Sequence, residues 1–292
     1  MLDAKYARLR ELLGSYGSCL VAYSGGVDSV FLARVAFDVL GERSLAVIAD
    51  SPSLPRRELT EALELGQRFG FPVRVVGTAE FDNPSYLANP TNRCYFCKHA
   101  LFSELGPLAK SGGFAVVVYG ENASDVGDHR PGALAASEFA VRAPLKEAGL
   151  TKADIRALSA RLGLPTADKP QMACLSSRIP TGESVTPAKL RMIEQAEDCL
   201  RGLGYLDVRV RHHESGTAAL ARVELGPEEL PRFLAGSHHA EVVTRLQEIG
   251  YLHVTLDLAG YRRGSTNGVP RRTVSPIEMR ARKVPATQRE GA

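Results

Sequence analysis

The sequence of 292 residues contains no apolar run that approaches the length of a membrane span, and its N-terminus has no apolar signal core. Residues 1–18, MLDAKYARLRELLGSYGS, instead carry charges throughout and show the pattern of an amphipathic helix. The formal net charge is only +3, without the dense basic stripe of nucleic-acid-binding proteins. We therefore expect a cytoplasmic protein with a small-molecule substrate and with no membrane or nucleic-acid partner.

Two common phosphate-binding motifs are also missing. The sequence has no GxxxxGK[ST] pattern, so it lacks the lysine that grips the β- and γ-phosphates in P-loop proteins. It has no GxGxxG pattern either, which argues against a dinucleotide-binding fold. Any nucleotide site in this chain must therefore use a different motif.

The first half of the chain alternates between strand-like apolar runs and helical patterns. The predicted strands are residues 19–23, 45–49, 73–76 and 115–119, and the predicted helices are 28–40, 56–69 and 94–108. A further helix should start after Thr151, which is a good N-terminal cap. Strands that alternate with helices of this length predict an α/β fold with an open parallel sheet covered by helices on both faces.

From residue 167 onwards the periodicity ends. ADKPQMACLSSRIPTGESVTP is rich in turn-forming residues, and loops of this length are usually functional. Patterns of one helix, two strands, two short helices and a last strand follow, which predict a smaller α+β domain. We expect a first domain at 1–166, an active-site loop at 167–186, a small substrate and oligomerisation domain at 187–274, and a disordered tail at 275–292.

The residues that join the first predicted strand to its helix read SGGVDS. Glycines let backbone amides approach a bulky ligand, and amides at a helix start point at anions. The hexamer resembles the pyrophosphate loop, SGGxDS, of the N-type ATP pyrophosphatases, which cleave ATP between its α- and β-phosphates. The resemblance implies that Ser24, Gly25, Gly26 and Ser29 hold pyrophosphate and that Asp28 binds Mg²⁺. The alternative is an ordinary turn with Ser or Asp as a helix cap.

Polar residues also follow two other predicted strands. Asp50 and Ser51 end the second strand, and the segment YGENASDVGDHRPG follows the fourth. Ligands of open α/β sheets bind outside these strand ends, so both places are candidates for nucleotide contacts. In the second segment the candidates are Gly120, Asn122, Asp125, Asp128 and Arg130. The alternative is a surface loop with Asx turns.

Three of the five cysteines call for a chemical explanation. Disulfides are not expected in a reducing compartment, and Cys19 and Cys199 are most simply core thiols. Cys94 and Cys97 lie at i and i+3 of a helix start, beside basic residues that should lower the thiol pKa, and Cys174 lies in the long loop.

Several arrangements of these three thiols are possible. A zinc site would need a fourth ligand such as His99 or His129. A redox CxxC pair would lack its thioredoxin-like setting. Three thiolates could also hold a 4Fe–4S cluster with one open iron. Plain buried thiols remain the alternative without chemistry.

Four segments together resemble the ATP-dependent sulfur transferases of the LarE type: NRCYFCK, the YGENASDVGDHRPG stretch, ACLSSRIPTGESVT and YRRGSTN. That family converts pyridinium-3,5-biscarboxylic acid mononucleotide to its dithiocarboxylic form for the nickel-pincer nucleotide cofactor. The resemblance implies ATP, Mg²⁺ and, because all three cysteines are present, a 4Fe–4S cluster held by Cys94, Cys97 and Cys174. In single-cysteine members the residue matching Cys174 gives up its own sulfur, which is the alternative here. The resemblance also implies a trimer-based hexamer.

The mononucleotide substrate needs a second phosphate site. Arg209 and Arg211 lie two residues apart on one face of a predicted strand, where they could share an anion; the alternative is a solvated face with acidic partners. The resemblance implies the phosphate role for both. It further implies substrate contacts for Ser177, Arg178 and Arg262, and a metal role between subunits for Glu197 and Glu224.

Three other functions compete with this prediction. A tRNA thiolase also joins this loop to clustered cysteines, but the chain lacks a basic additional domain. An amidotransferase-type synthetase would need a glutaminase domain and has no use for three cysteines. A nucleotide or metal sensor would bind ATP without forming AMP.

Overall fold

The computed structural model describes residues 1–125, 131–170, 173–216 and 218–262. Its larger sheet has four parallel strands in the order β3-β2-β1-β4. These are β1 (Cys19–Tyr23), β2 (Ser44–Asp50), β3 (Val73–Gly77) and β4 (Val116–Tyr119). All residues of the central strand β1 are buried, as its unbroken apolar sequence predicts. The predicted open parallel sheet is confirmed.

Helices cover both faces of this sheet. They are α1 (Leu2–Tyr16), α2 (Val27–Leu40), α3 (Arg56–Phe69), α4 (Pro84–Leu87), α5 (Arg93–Gly112), α6 (Pro131–Glu138), α7 (Pro144–Glu147) and α8 (Lys152–Arg161). Alternate residues of β1 enter two separate apolar clusters, Cys19, Val21 and Tyr23 on one face and Leu20 and Ala22 on the other. The first cluster includes α1, α2, α3 and α8, and the second includes α5 and α6. Burial raises the pKa of the Cys19 thiol to about 12, as expected of a core cysteine.

Local signals set the ends of several of these helices. The Thr151 side chain accepts a hydrogen bond from the Asp154 amide in a reciprocal capping box, which confirms the predicted start of α8. The predicted helix at 94–108 runs on to Gly112, where Gly113 takes the left-handed conformation (φ 70°) that ends it. The sequence-based end was therefore four residues too early.

A smaller mixed sheet follows, with β5 and β6 antiparallel and β6 and β7 parallel. Its elements are α9 (Pro187–Gly202), β5 (Val208–Ser215), β6 (Ala218–Leu225), α10 (Glu229–Ala235), α11 (His239–Ile249) and β7 (His253–Leu256). One face of the sheet packs its apolar residues against α9 and α11. The predicted α+β texture of this part is confirmed. The predicted tail at 275–292 lies outside the described residues.

The predicted loop at 167–186 connects the chain segments of the two sheets. A 3-10 turn at Pro165–Asp168 leads into it, and a second one lies within it at Leu175–Arg178. Its backbone bonds to the first half of the chain: the Leu175 amide donates to the Ser53 carbonyl at 2.8 Å, and the Val185 amide to the Leu87 carbonyl at 2.8 Å. A third apolar cluster joins this segment to α4, α5 and α9. Across the described ranges, no helix is both long and apolar enough to traverse a membrane.

Candidate active site

The SGGVDS loop forms a compact turn between β1 and α2. The Ser29 hydroxyl lies 3.1 Å from both the amide nitrogen and the hydroxyl oxygen of Ser24, and it also donates to the Gly26 carbonyl at 3.1 Å. Gly26 is the N-terminal cap residue of α2 and lacks a capping side chain. The first amides of α2 therefore open on the end of the sheet where anions bind favourably.

Of the two glycines in this loop, Gly25 is the one at which a side chain would strain the backbone and crowd α3. It has a φ of +70°, and a Cβ there would lie 3.0 Å from the Cβ of Ala62 on α3. Gly26 has a φ of −82°, and a Cβ there would meet only the Ser24 hydroxyl at 3.5 Å.

We expect Gly25→Ala to lower the free energy of unfolding by about 1–2 kcal/mol, because an L side chain is strained at positive φ. Gly26→Ala is the matched control and should cost clearly less. Urea unfolding of both variants measures the difference. Equal destabilisation of the two would show that the loop does not hold Gly25 in this conformation.

Asp50 and Ser51, which are predicted to contact the nucleotide at the end of β2, form hydrogen bonds to residues close to them in sequence. Arg56 donates to the Asp50 carboxylate at 2.6 Å and to the Ser51 carbonyl at 2.9 Å. The Ser51 hydroxyl is buried and lies 2.9 Å from the hydroxyl of Ser53. Arg56, which the sequence reading did not single out, therefore shapes this edge of the site.

The segment after β4 packs directly against the SGGVDS loop. A Cβ on Gly120 would lie 3.2 Å from the Cβ of Asp28 and from the Ser29 amide, a tight contact that glycine avoids. The side-chain oxygen of the buried Asn122 accepts a hydrogen bond from the Ser124 backbone amide at 2.9 Å. The backbone amide of Asn122 donates to the Asp125 carboxylate at 3.1 Å. The Asx turn considered as an alternative is thus present, at the strand end where nucleotide contacts are predicted. The candidates Asp128 and Arg130 lie outside the described residues.

The fold brings two lysines to a loop that has none of its own. Lys152 Nζ lies 2.7 Å from a carboxylate oxygen of Asp28. Lys169 Nζ lies 3.5 Å from the Gly25 carbonyl and 2.7 Å from the buried Glu58. The sequence reading missed both, since Lys152 comes 124 residues after Asp28 and Lys169 comes 144 after Gly25. The fold thus places two ammonium groups beside the loop, each paired with a carboxylate.

The three predicted cysteines share one neighbourhood. Cys94 and Cys97 lie in the first turns of α5, with Cys94 exposed and Cys97 half-buried, and Cys174 is half-buried in the loop opposite. Cys97 packs against the same apolar cluster as Leu175, the residue after Cys174, and the charge of Cys174 raises the pKa of both other thiols. No group of three or more His, Cys, Asp or Glu side chains in the described parts of the chain is arranged to hold a metal ion.

The prediction of low thiol pKa values at this helix start is wrong. Desolvation, followed by the nearby Cys174, raises the pKa of Cys97 to about 12. The same two causes raise the pKa of Cys94, although Arg93 and Lys98 act in the opposite direction. At Cys97 loss of water therefore outweighs the charge of Lys98, whereas at the more exposed Cys94 both cations oppose the rise.

The backbone on both sides of Cys174 is held by buried side chains. Arg178, with no exposed surface, donates to the carbonyls of Ala173 at 2.6 Å and Cys174 at 3.1 Å. The hydroxyl of the buried Tyr86 lies 2.8 Å from that of Ser176, and Arg93 donates to the Ser176 carbonyl at 3.0 Å. Hydrogen bonds thus hold the loop on both sides of Cys174. These contacts favour a positioning role for Arg178 over the predicted contact with substrate.

Arg209 and Arg211 share one face of β5, as predicted, but that face is buried rather than solvated. Arg211 donates to the Ser177 carbonyl at 2.9 Å, which joins the arginine face to the cysteine loop. The Arg209 guanidinium lies 4.7 Å from the ring centre of Tyr261. Burial, followed by the charge of Arg178, lowers the pKa of Arg209. Arg262, the next candidate, is exposed at the end of the last described range.

The two glutamates predicted to bind metal are fully buried and bound to arginines. Glu197 accepts from Arg178 at 2.8 Å and from Arg201 at 2.6 Å. Glu224 accepts from Arg211 at 2.8 Å and from Arg222 at 3.0 Å. Burial alone would raise the pKa of Glu197, but its arginines hold that pKa at about 2. These contacts favour ion pairing over the predicted metal role.

Comparison with known proteins identifies relatives of this chain. No protein-family model matches the chain. An uncharacterized protein of Synechocystis is 46% identical over 92% of this chain and 99% of its own length. The pyridinium-3,5-bisthiocarboxylic acid mononucleotide synthase of Lactiplantibacillus plantarum is 35% identical over 91% of this chain and 95% of its own length. A tRNA-specific 2-thiouridylase of Azorhizobium caulinodans is 30% identical, but over only 52% of this chain and 48% of its own length.

Proposed function

The chain belongs to the LarE family of pyridinium-3,5-bisthiocarboxylic acid mononucleotide synthases, within the PP-loop superfamily, and from this we propose that it replaces carboxylate oxygen by sulfur on that mononucleotide at the expense of ATP. One observation carries the proposal. The loop that bears Cys174 is tied to both strand ends of the nucleotide site, through Lys169 to the Gly25 carbonyl and through the Leu175 amide to the Ser53 carbonyl. The loop that carries Cys174 therefore contacts the two strand ends at which we propose that ATP binds.

The first half-reaction activates the substrate. A carboxylate oxygen attacks the α-phosphorus of ATP, pyrophosphate leaves, and an acyl adenylate forms. Ser24, Gly25, Gly26 and Ser29 would hold the leaving pyrophosphate with amides and hydroxyls. Lys152 and Lys169 would neutralise part of its charge.

The Asp28 carboxylate beside the phosphate loop has the hard oxygen donors that Mg²⁺ prefers, so it would hold the metal that accompanies ATP. A bound Mg²⁺ would offset phosphate charge. Asp50, Ser51, Gly120, Asn122 and Asp125 would surround the nucleoside and the α-phosphate.

The second half-reaction transfers sulfur. A sulfur nucleophile attacks the acyl carbon, and AMP leaves with the original carboxylate oxygen. Cys94, Cys97 and Cys174 would hold a 4Fe–4S cluster, and the packing of Cys97 against the apolar residues around Leu175 supports this assignment. A cluster with three thiolate ligands leaves one iron open to a sulfur ligand that does not come from the protein.

Single use of Cys174 is the alternative route to the same product. Its sulfur would attack the acyl adenylate and form a thioester. Loss of the Cα proton would then break the Cβ–Sγ bond, leaving dehydroalanine in the chain and the thiocarboxylate in the product. The two routes differ in the mass of the protein after reaction, since only the second removes H₂S from it.

The substrate's own phosphate would lie against the arginine face. Arg209 and Arg211 would bind it, Ser177 and Arg262 would contact the rest of the substrate, and Arg178 would position Cys174. We assign Glu197 and Glu224 to anchoring these arginines. The family resemblance supports a homo-oligomer built from trimers, which sedimentation of the purified chain would test.

Purified protein, prepared without oxygen, is expected to form AMP and pyrophosphate from ATP and Mg²⁺ only when pyridinium-3,5-biscarboxylic acid mononucleotide is present. Coupled pyrophosphate release and chromatography of AMP measure this reaction. An Asp28→Asn variant should release neither product. AMP formation with tRNA instead of the mononucleotide would favour a thiouridylase, and ATP binding without AMP would favour a sensor.

A further inference from the structure

His213 extends the arginine face by one more residue. Residues 209, 211 and 213 alternate along β5, so their side chains point to the same side of the sheet. The intervening His212 points to the opposite, apolar side, where its Nδ1 lies 3.4 Å from the Tyr251 hydroxyl. The face opposite Arg211 and His213 on β6 carries Arg222 and Leu220.

One ring nitrogen of His213 makes no hydrogen bond to the described part of the chain. Nε2 of His213 is shielded from solvent and has no hydrogen-bond partner within the described residues. Buried polar atoms are nearly always paired, so an exception points to a group that is absent from the protein alone. Leu220, its direct neighbour across the strand pair, offers no polar atom.

The charge around this ring indicates the chemistry of the missing group. Desolvation, followed by the charge of Arg222, lowers the pKa of His213; Glu224 acts in the opposite direction, and Arg211 again lowers it. The guanidinium groups of Arg211 and Arg222 share the carboxylate of Glu224, so these three groups together keep a net positive charge. A neutral imidazole beside them can donate its Nε2 proton to an anion that this charge attracts.

We propose that His213 is the third phosphate-binding residue of this face, donating from Nε2 to the phosphomonoester of the substrate beside Arg209 and Arg211. The assignment rests on the proposed function, because it takes the mononucleotide as the ligand of this face. It adds a residue that recognises the phosphate and takes no part in sulfur transfer.

Calorimetric titration without ATP tests the assignment, because the substrate then binds without reacting. His213→Phe keeps the ring and removes its nitrogen donors, and it should weaken binding of the pyridinium biscarboxylate mononucleotide about tenfold. Binding of the corresponding nucleoside, which lacks the phosphate, should be unchanged. His213→Gln retains an N–H donor and should recover most of the affinity.

His253 provides the matched control. His253 lies on β7, in register with Leu220 of β6, and its side chain is exposed on the same face of the sheet as His213. His253→Gln should bind both ligands as the unmodified chain does. Circular dichroism and thermal unfolding would verify that each variant is folded.

Unchanged mononucleotide affinity in His213→Phe would overturn the inference, and so would an equal loss for the nucleoside, which would indicate a structural role. The Arg209→Gln variant distinguishes an error in the His213 assignment from an error in the proposed phosphate site. If Arg209→Gln weakens mononucleotide binding while His213→Phe does not, only the histidine assignment is wrong. If neither variant weakens binding, the phosphate site itself lies elsewhere.

Discussion

Replacement of Cys174 by alanine is expected to lower thiocarboxylate formation at least about a thousandfold while the first release of pyrophosphate continues at close to the original rate. The reason is that adenylation needs the SGGVDS loop, whereas sulfur transfer needs the thiol. The loop should survive the change because its anchors are backbone groups: the Leu175 amide bonds to the Ser53 carbonyl, and Arg178 bonds to the Cys174 carbonyl. Chromatography of the pyridinium product and coupled pyrophosphate release in the same reaction measure the two steps.

Cys199→Ala is the control for this experiment. Cys199 is also a half-buried thiol, but it lies on α9 and packs at the edge of the small-sheet core. Its removal should leave both steps intact. Thiocarboxylate formed by Cys174→Ala at the original rate would remove Cys174 from the reaction and contradict the proposed sulfur transfer.

Cys97→Ala distinguishes the two forms of that transfer. On protein reconstituted without oxygen, the unmodified chain should hold about four irons and the variant should lose them, if the three cysteines are ligands of a 4Fe–4S cluster. Absence of iron from both proteins, with a chain that becomes lighter by H₂S after reaction, would instead establish single use of Cys174.

The parts of the site that were predictable from sequence are those set by local pattern. The position of SGGVDS after a buried strand follows from the apolar run at β1, and the end of β4 beside it follows from the rule for parallel sheets. Lys152 and Lys169 were not predictable, because nothing near them in the chain indicates the loop that they reach. Their positions depend on how α8 and the following segment pack against α2 and α3.

Burial is the property that sequence reasoning estimated least well. A helix start with two basic neighbours indicates a low thiol pKa, yet packing against the apolar cluster at Tyr86 and Ile193 removes water from Cys97 and has the larger effect. Burial was also missed at Arg178 and Glu197. The sequence predicts a substrate contact for Arg178 and a metal role for Glu197, and only the fold shows that both are fully buried and paired with each other.

Glu197→Ala is expected to lower the free energy of unfolding by about 3–5 kcal/mol, because it leaves buried arginines without their carboxylate. Glu197 accepts from Arg178 and Arg201 and also from the Val210 amide at 3.2 Å, so its loss affects α9, the cysteine loop and β5 together. Asp198→Ala is the control on the same helix. Asp198 bonds to the same Arg201 at 3.1 Å but is half-exposed, so its removal should cost no more than about 1 kcal/mol.

Acid unfolding provides an independent check on Glu197. Its pKa is about 2 in the folded chain against an ordinary value of 4.5, so its contribution to stability is complete above about pH 4.5 and is lost as the pH falls towards 2. That part of the pH dependence should be missing from Glu197→Ala and present in Asp198→Ala, as measured by urea unfolding between these pH values. If both variants are destabilised equally, the buried pair does not hold the cysteine loop against the small sheet. If Glu197→Ala alone is destabilised, the face that would bind the substrate phosphate and the loop that carries Cys174 depend on one carboxylate.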